Sequence, residues 1–215
     1  MFQKAPRLFL KARNLTLLGG ILLIAASAYF TKNALFLLFN KDGGPNLDQF
    51  FKWATWGAEG WAWIPYFMVV YGWFKKDAKF ILFNFLLSTI ITQIPKNFIW
   101  SAVSRPIASG IPVNEIHTVP GVIMHSLNSF PSGHTATAFT LFLLTTYLFP
   151  TKWTITIGAI YAIICAYSRV YLGQHFPMDL GGGMLVAVIS LQLSIIICHK
   201  ISNKKSDEPS AQKRF

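Results

Sequence analysis

Residues 153–198 read WTITIGAIYAIICAYSRVYLGQHFPMDLGGGMLVAVISLQLSIIIC. Two apolar runs, Trp153–Leu172 and Met178–Cys198, meet at a polar hinge. Each is about 20 residues long, the length an α-helix needs to cross the hydrocarbon core of a bilayer. The charged and titratable residues gather at the hinge: Ser168 and Arg169 close the first run, and His175 and Asp179 open the second. This stretch predicts two antiparallel membrane helices with chemistry at one end.

Four earlier runs have the same character, near Thr16–Tyr29, Trp56–Phe74, Phe80–Trp100 and Ser132–Phe149. The expected fold is therefore all-α: a six-transmembrane-helix bundle forming one membrane domain over residues 1–199, with a polar, disordered cytoplasmic tail from 200 to 215. No internal repeat is evident. The first run also fits a cleaved signal peptide, with a basic start, a short apolar core and Ala26-Ser27-Ala28. The orientation of the other helices is the same on either reading.

Composition agrees. Only 13% of the 215 residues are charged, against about 25% in soluble domains, and mean hydropathy is +0.45. A soluble fold of this size leaves roughly a third of its surface in water and could not hide this much apolar area. A disordered chain is excluded on the same ground. Cys165 and Cys198 both lie within apolar runs and read as small hydrophobes. The Gly181-Gly182-Gly183 run predicts close helix packing.

The net charge of +11 does not mark a nucleic-acid binder, because the basic residues form short clusters at the ends of apolar runs. Lys4, Arg7, Lys11 and Arg13, then Lys75, Lys76 and Lys79, then Lys152, then the basic residues from Lys200 onward fall on one side. Lys32, Lys41, Lys52, Lys96, Arg105 and Arg169 fall on the other. The positive-inside rule places both termini in the cytoplasm. Trp56, Trp73, Trp100 and Trp153 sit at run ends, where interfacial anchors belong.

On this topology four polar elements share the outer face. They are Lys96 with Arg105-Pro106, Pro131-Ser132-Gly133-His134, Ser168-Arg169, and His175 with Asp179. Two arginines and a lysine suit an oxyanion such as phosphate. Pro131 fits the first position of a helix, which would leave the N–H groups of Ser132, Gly133 and His134 free as an anion cradle. An Asp four residues after His175 can orient that imidazole and stabilise its charged form, making His175 a candidate nucleophile and His134 a candidate proton donor. The outer acids Asp42, Asp48, Glu59 and Glu115 read as scattered, so no metal site is expected. His117 and His125 read as loop histidines, with headgroup contact as the alternative.

These residues resemble the pattern of the type 2 phosphatidic acid phosphatases, a membrane family related to the vanadium haloperoxidases: a Lys before Arg-Pro, then PSGH, then SR-x5-H-x3-D. The resemblance covers Lys96 to Asp179. It implies a metal-free, cofactor-free hydrolase in which His175 forms a phosphohistidine, Asp179 orients it and His134 protonates the leaving group. Lys96, Arg105, Ser132, Gly133 and Arg169 would hold the phosphate. One departure stands out: eight residues separate Lys96 from Arg105, where the common pattern has six.

The expected protein is thus an integral, multi-pass lipid phosphatase of a bacterial-type inner membrane, with its site facing the periplasm. Its expected partners are the bilayer and a lipid phosphate. Undecaprenyl diphosphate, phosphatidylglycerol phosphate, phosphatidic acid and lipid A are all candidate substrates, and the oligomeric state is open. A lipid phosphotransferase would use the same residues. A transporter or a binding protein is the alternative outside enzymes.

Overall fold

A computed structural model describes residues 5–73, 75 and 78–207. Lys4, Lys76, Lys213 and Arg214, counted above in the charge bias, lie outside the described residues, as does the tail from 208 to 215. Among the described residues there are eight α-helices and no strand: α1 (Arg7–Tyr29), α2 (Lys32–Phe39), α3 (Pro45–Ala54), α4 (Trp63–Trp73), α5 (Ala78–Ile94), α6 (Gly133–Leu148), α7 (Lys152–Tyr171) and α8 (Pro177–Asp207).

Among the described residues, four helical segments are long and apolar enough to cross a membrane: Arg7–Tyr29, Ala78–Ile99, Lys152–Tyr171 and Pro177–Ser202. The other two expected runs form shorter helices, for different reasons. The run from Trp56 is broken by two 3-10 turns, Thr55–Ala58 and Gly60–Ala62, which leave α4 with 11 residues. At 1.5 Å per residue that spans only about 16 Å. The 16-residue α6 is an inner helix, buried along most of its length from Thr135 to Thr146. Two boundaries also move. Helix α1 begins at Arg7 rather than near Thr16, and there Arg13 donates from Nη1 to Gln192 Oε1 on α8 at 2.8 Å. Helix α8 runs on to Asp207, past the Lys200 where a polar tail was expected.

Helix α8 is the hub, packed against α1, α5 and α6. The three successive glycines make this possible, each toward a different neighbour. A Cβ on Gly181 would lie 2.6 Å from Gly20 O of α1, and one on Gly182 would lie 2.5 Å from the Phe130 ring. On Gly183 it would lie 2.6 Å from Ser132 O at the start of α6. The close packing expected from sequence is what the run provides.

The outward faces of the long helices are apolar: Leu15, Leu18 and Leu22 on α1, Ile157, Ile160 and Ile163 on α7, and Ile189 and Ile196 on α8 are all exposed. So extensive an apolar surface fits helices that face lipid. Polar groups turn inward and pair across helices: Asn84 Nδ2 donates to Ser194 Oγ at 3.0 Å, and the Ser88 and Thr140 hydroxyls bond at 3.3 Å. Both cysteines are free.

At the end of the bundle where α5 and α7 finish, buried Asn40 ties α2 to the rest. Its Nδ2 donates to the carbonyls of Val170 and Tyr171 at 2.9 Å and of His117 at 3.1 Å, and its Oδ1 accepts from His117 N at 2.7 Å. That single side chain locks the end of α7 to the loop from 101 to 131.

Candidate active site

Helix α7 stops in a turn through Gly173, whose φ of +68° is left-handed backbone that glycine adopts at least cost. The turn brings the N–H groups of Gln174 and His175 onto Arg169 O, at 2.8 and 3.1 Å. Pro177 then starts α8, and Asp179 falls in its first turn. One oxygen of that carboxylate, Oδ2, accepts from Ser129 Oγ at 2.5 Å and Phe176 N at 2.9 Å, and meets His175 Nδ1 at 3.3 Å. Both His175 and Asp179 side chains are 1% exposed. Burial holds the His175 imidazole well below its ordinary pKa, and the charges of Arg105, Arg169 and Lys96 push the same way. A neutral imidazole with Nδ1 against a carboxylate keeps the lone pair on Nε2, which is what a nucleophile requires.

The start of α6 lies two positions later than expected. Ser132, not Pro131, is the flanking cap residue: its Oγ accepts from Thr135 N at 3.4 Å and from Thr135 Oγ1 at 3.0 Å. Its own N–H donates to Asp179 O at 3.0 Å, so it is not free for an anion as the sequence implied. Pro131 lies before the helix, after a cis peptide bond. The N–H groups of Gly133 and His134, at the first two helical positions, keep the free geometry that favours anions.

The cations come from three elements. Arg105 is clamped by main-chain carbonyls, donating from Nε to Leu127 O at 2.9 Å and from Nη1 to Gln174 O at 3.2 Å. Arg169 donates from Nη1 to Thr55 Oγ1 at 2.6 Å, and its buried Nε has no partner. Lys96 sits on a π turn, Pro95–Ile99, closed by Trp100 N donating to Pro95 O at 2.8 Å. Pro95 lacks the N–H that an α turn would use, and the wider turn takes up an extra residue. That takes up one of the two extra residues between Lys96 and Arg105, and Lys96 still lines the same cavity as Arg105.

Lys96, Arg105, Gly133, His134, Arg169 and His175 line one cavity of about 300 Å³. Ser132 and Asp179 stand behind its wall as supports. Clefts of about 540 and 490 Å³ elsewhere are walled almost wholly by apolar residues, so chemistry and not size marks this site.

Several residues here carry no signal in the sequence pattern. Ser129 and Gln174 hold Asp179 and Arg105, Thr55 holds Arg169, and Glu59 Oε1 lies 3.8 Å from His134 Nε2. His125 lines the cavity instead of standing apart in its loop, and its pKa is lowered by burial and by the same three cations. His117 is also engaged, with Nε2 3.0 Å from Asp48 Oδ1. Two of the four outer acids are accordingly not scattered: Asp42 and Asp48, with His117, bring ligand-type atoms within 4.8 Å of one another. Tyr171 Oη donates to Asp48 Oδ1 at 2.6 Å and Gly44 N to Asp42 Oδ1 at 2.8 Å, so that cluster is accounted for as a clasp. Glu115 is exposed on a 3-10 turn, Val113–Glu115.

Fold and site together define a helical integral-membrane protein with a buried histidine–aspartate pair facing a cationic cavity. Residues 77–203 match the PAP2 superfamily, and the chain belongs to it. It is 35% identical over 164 residues to a lipid A 4'-phosphatase of Porphyromonas gingivalis, covering 72% of this chain and 67% of that protein. A putative undecaprenyl-diphosphatase of Escherichia coli, YbjG, is 33% identical over 100 residues. That match covers 46% of this chain and about half the relative's length, 47%. The crystal structure of Aquifex aeolicus LpxE superposes with a TM-score of 0.65 at 28% identity, over 75% of this chain and 93% of that one.

Proposed function

We propose that the protein is a six-span membrane phosphatase that removes a phosphoryl group from a lipid phosphate or diphosphate, without a metal, at the outer face of a bacterial-type inner membrane. Residues 1–199 are its membrane domain, both termini are cytoplasmic, and α4 and α6 complete the six crossings. The observation that supports this best is the cavity itself, where a sealed His175–Asp179 pair meets three cations and a second histidine.

In the reaction, His175 Nε2 attacks phosphorus in line while Asp179 supports the charge that develops on the imidazole. Lys96, Arg105, Arg169 and the N–H groups of Gly133 and His134 hold the phosphoryl oxygens where charge spreads in the transition state. Ser132 seats the start of α6 so that those N–H groups face the anion. His134 protonates the leaving oxygen, then takes a proton from the water that resolves the phosphohistidine. A site at the end of the bundle lets a lipid's tail stay in the bilayer. The names of the relatives, lipid A 4'-phosphatase and undecaprenyl-diphosphatase, belong to the same substrate class.

One experiment tests activity, orientation and metal independence together. Spheroplasts producing the protein are given impermeant short-chain lipid phosphates and diphosphates in excess EDTA, with His175→Ala as the blank. Phosphate should appear outside without lysis, and lysis should not raise the rate. Release only after lysis would place the site in the cytoplasm, and loss in EDTA restored by Mg²⁺ would contradict the metal-free reaction.

A further inference from the structure

We infer that Glu59 is the carboxylate partner of His134, holding that imidazole in its charged form for proton donation as Asp179 supports His175. The inference deepens the phosphatase reading above and rests on it. Glu59 occupies the bend between the two 3-10 turns ahead of α4, outside the residues that match the superfamily. Its Oε1 lies 3.8 Å from His134 Nε2, and its Oε2 accepts from Trp61 Nε1 at 3.1 Å, which aims the carboxylate. The segment is a wall of the cavity: Ala58 and Gly60 line it, and Thr55 holds Arg169.

The need for such a group follows from what surrounds His134. Lys96 of the π turn after α5, Arg105 of the connecting loop, Arg169 of α7 and His175 ahead of α8 share its cavity, and each disfavours a proton on it. His134 Nε2 is sealed from water and has no hydrogen-bond partner. A general acid must nevertheless arrive charged. Among the described residues Glu59 is the carboxylate that pairs with His134, because Asp179 is engaged by His175, Ser129 and Phe176.

The two pairs differ in the way their tasks require. The nucleophile's pair is buried, which favours a neutral imidazole. The acid's pair is less enclosed, with side chains 24% and 40% exposed, and there the Glu59 carboxylate faces the imidazole nitrogen and offsets the surrounding cations. As the N–P bond to His175 forms and the P–O bond to the leaving group breaks, the His134 proton passes to the leaving alkoxide. When water bonds to phosphorus and the N–P bond breaks, the water's proton returns to His134. Glu59 neither gives nor takes a proton in either step.

The test compares purified wild-type protein with Glu59→Gln, which keeps the Trp61 hydrogen bond, and with Glu115→Gln as a control on an exposed acid. On a dialkylglycerol phosphate, whose alkoxide needs a proton, Glu59→Gln should lose about 10- to 100-fold in kcat, part of what general acid catalysis provides. KM should stay within about twofold, and the basic limb of the kcat profile should move to lower pH as His134 gives up its proton more readily. On p-nitrophenyl phosphate, whose leaving group needs no proton, the loss should be within about twofold. Glu59→Asp should recover part of the rate, and Glu115→Gln should match wild type. Equal losses on both substrates, or an unmoved basic limb, would overturn the role given to Glu59. A wild-type protein that releases no phosphate from any lipid would instead overturn the phosphatase reading.

Discussion

Asp179→Asn is expected to lower kcat by about four orders of magnitude, the scale seen when the acid of a histidine-centred triad loses its charge, while the protein stays folded. The amide oxygen can take the place of Oδ2 and keep the bonds from Ser129 Oγ and Phe176 N. Packing and backbone therefore survive. The negative charge does not, and with it goes the support for a cationic His175 as the N–P bond forms. The site offers no substitute, since the other charges around His175 are Arg105, Arg169 and Lys96. Measured on Asp179→Asn protein of unchanged melting temperature, a kcat within tenfold of wild type would contradict the role of the pair.

Gly183→Ala is expected to have one of the largest effects on stability among the Gly→Ala changes in the chain. The new Cβ would lie 2.6 Å from Ser132 O, 2.8 Å from Thr135 Cβ and 2.9 Å from Ala136 N. Two of those three atoms are backbone at the start of α6 and cannot rotate away. Either α6 moves off α8, carrying Gly133 and His134 away from His175, or the helices separate. Overpacking of this kind costs about 1–3 kcal/mol or more, a large part of the roughly 5–15 kcal/mol that keeps a domain folded. Gly72→Ala is the comparison, for a Cβ there meets nothing within 4 Å. It should be neutral or stabilise α4 by up to about 1 kcal/mol through helix propensity. Thermal denaturation in detergent reads both, and equal melting temperatures for the two variants would refute the packing argument.

What could be read from sequence was whatever is local in the chain. Apolar runs of bilayer length marked the long helices, and the four-residue step from His175 to Asp179 across Pro177 put both at one helix start. Helix breaks were harder, because Thr55–Ala62 continues an apolar run while its backbone turns into 3-10 geometry. The position of Ser132 as cap was missed by two residues, since Pro131 is a residue type that also fits a first helical position. The π turn under Lys96 left only an indirect trace, as part of a spacing two residues longer than the common pattern. Contacts between distant segments left no local trace: Thr55 with Arg169, Glu59 with His134 and Asn40 with Val170 are 114, 75 and 130 residues apart. Such pairs depend on how the helices pack, and neither periodicity nor motif spacing encodes that.

His175 should be phosphorylated during turnover, and the decisive measurement is to trap that intermediate. Purified protein is mixed with a lipid phosphate labelled in its phosphoryl group, quenched within the first turnover and probed for label on the chain. The expected result is a phosphoramidate on His175, labile in acid and stable in base, formed equally in EDTA and absent from His175→Ala. Label that survives acid, or that persists in the His175→Ala protein, would contradict it.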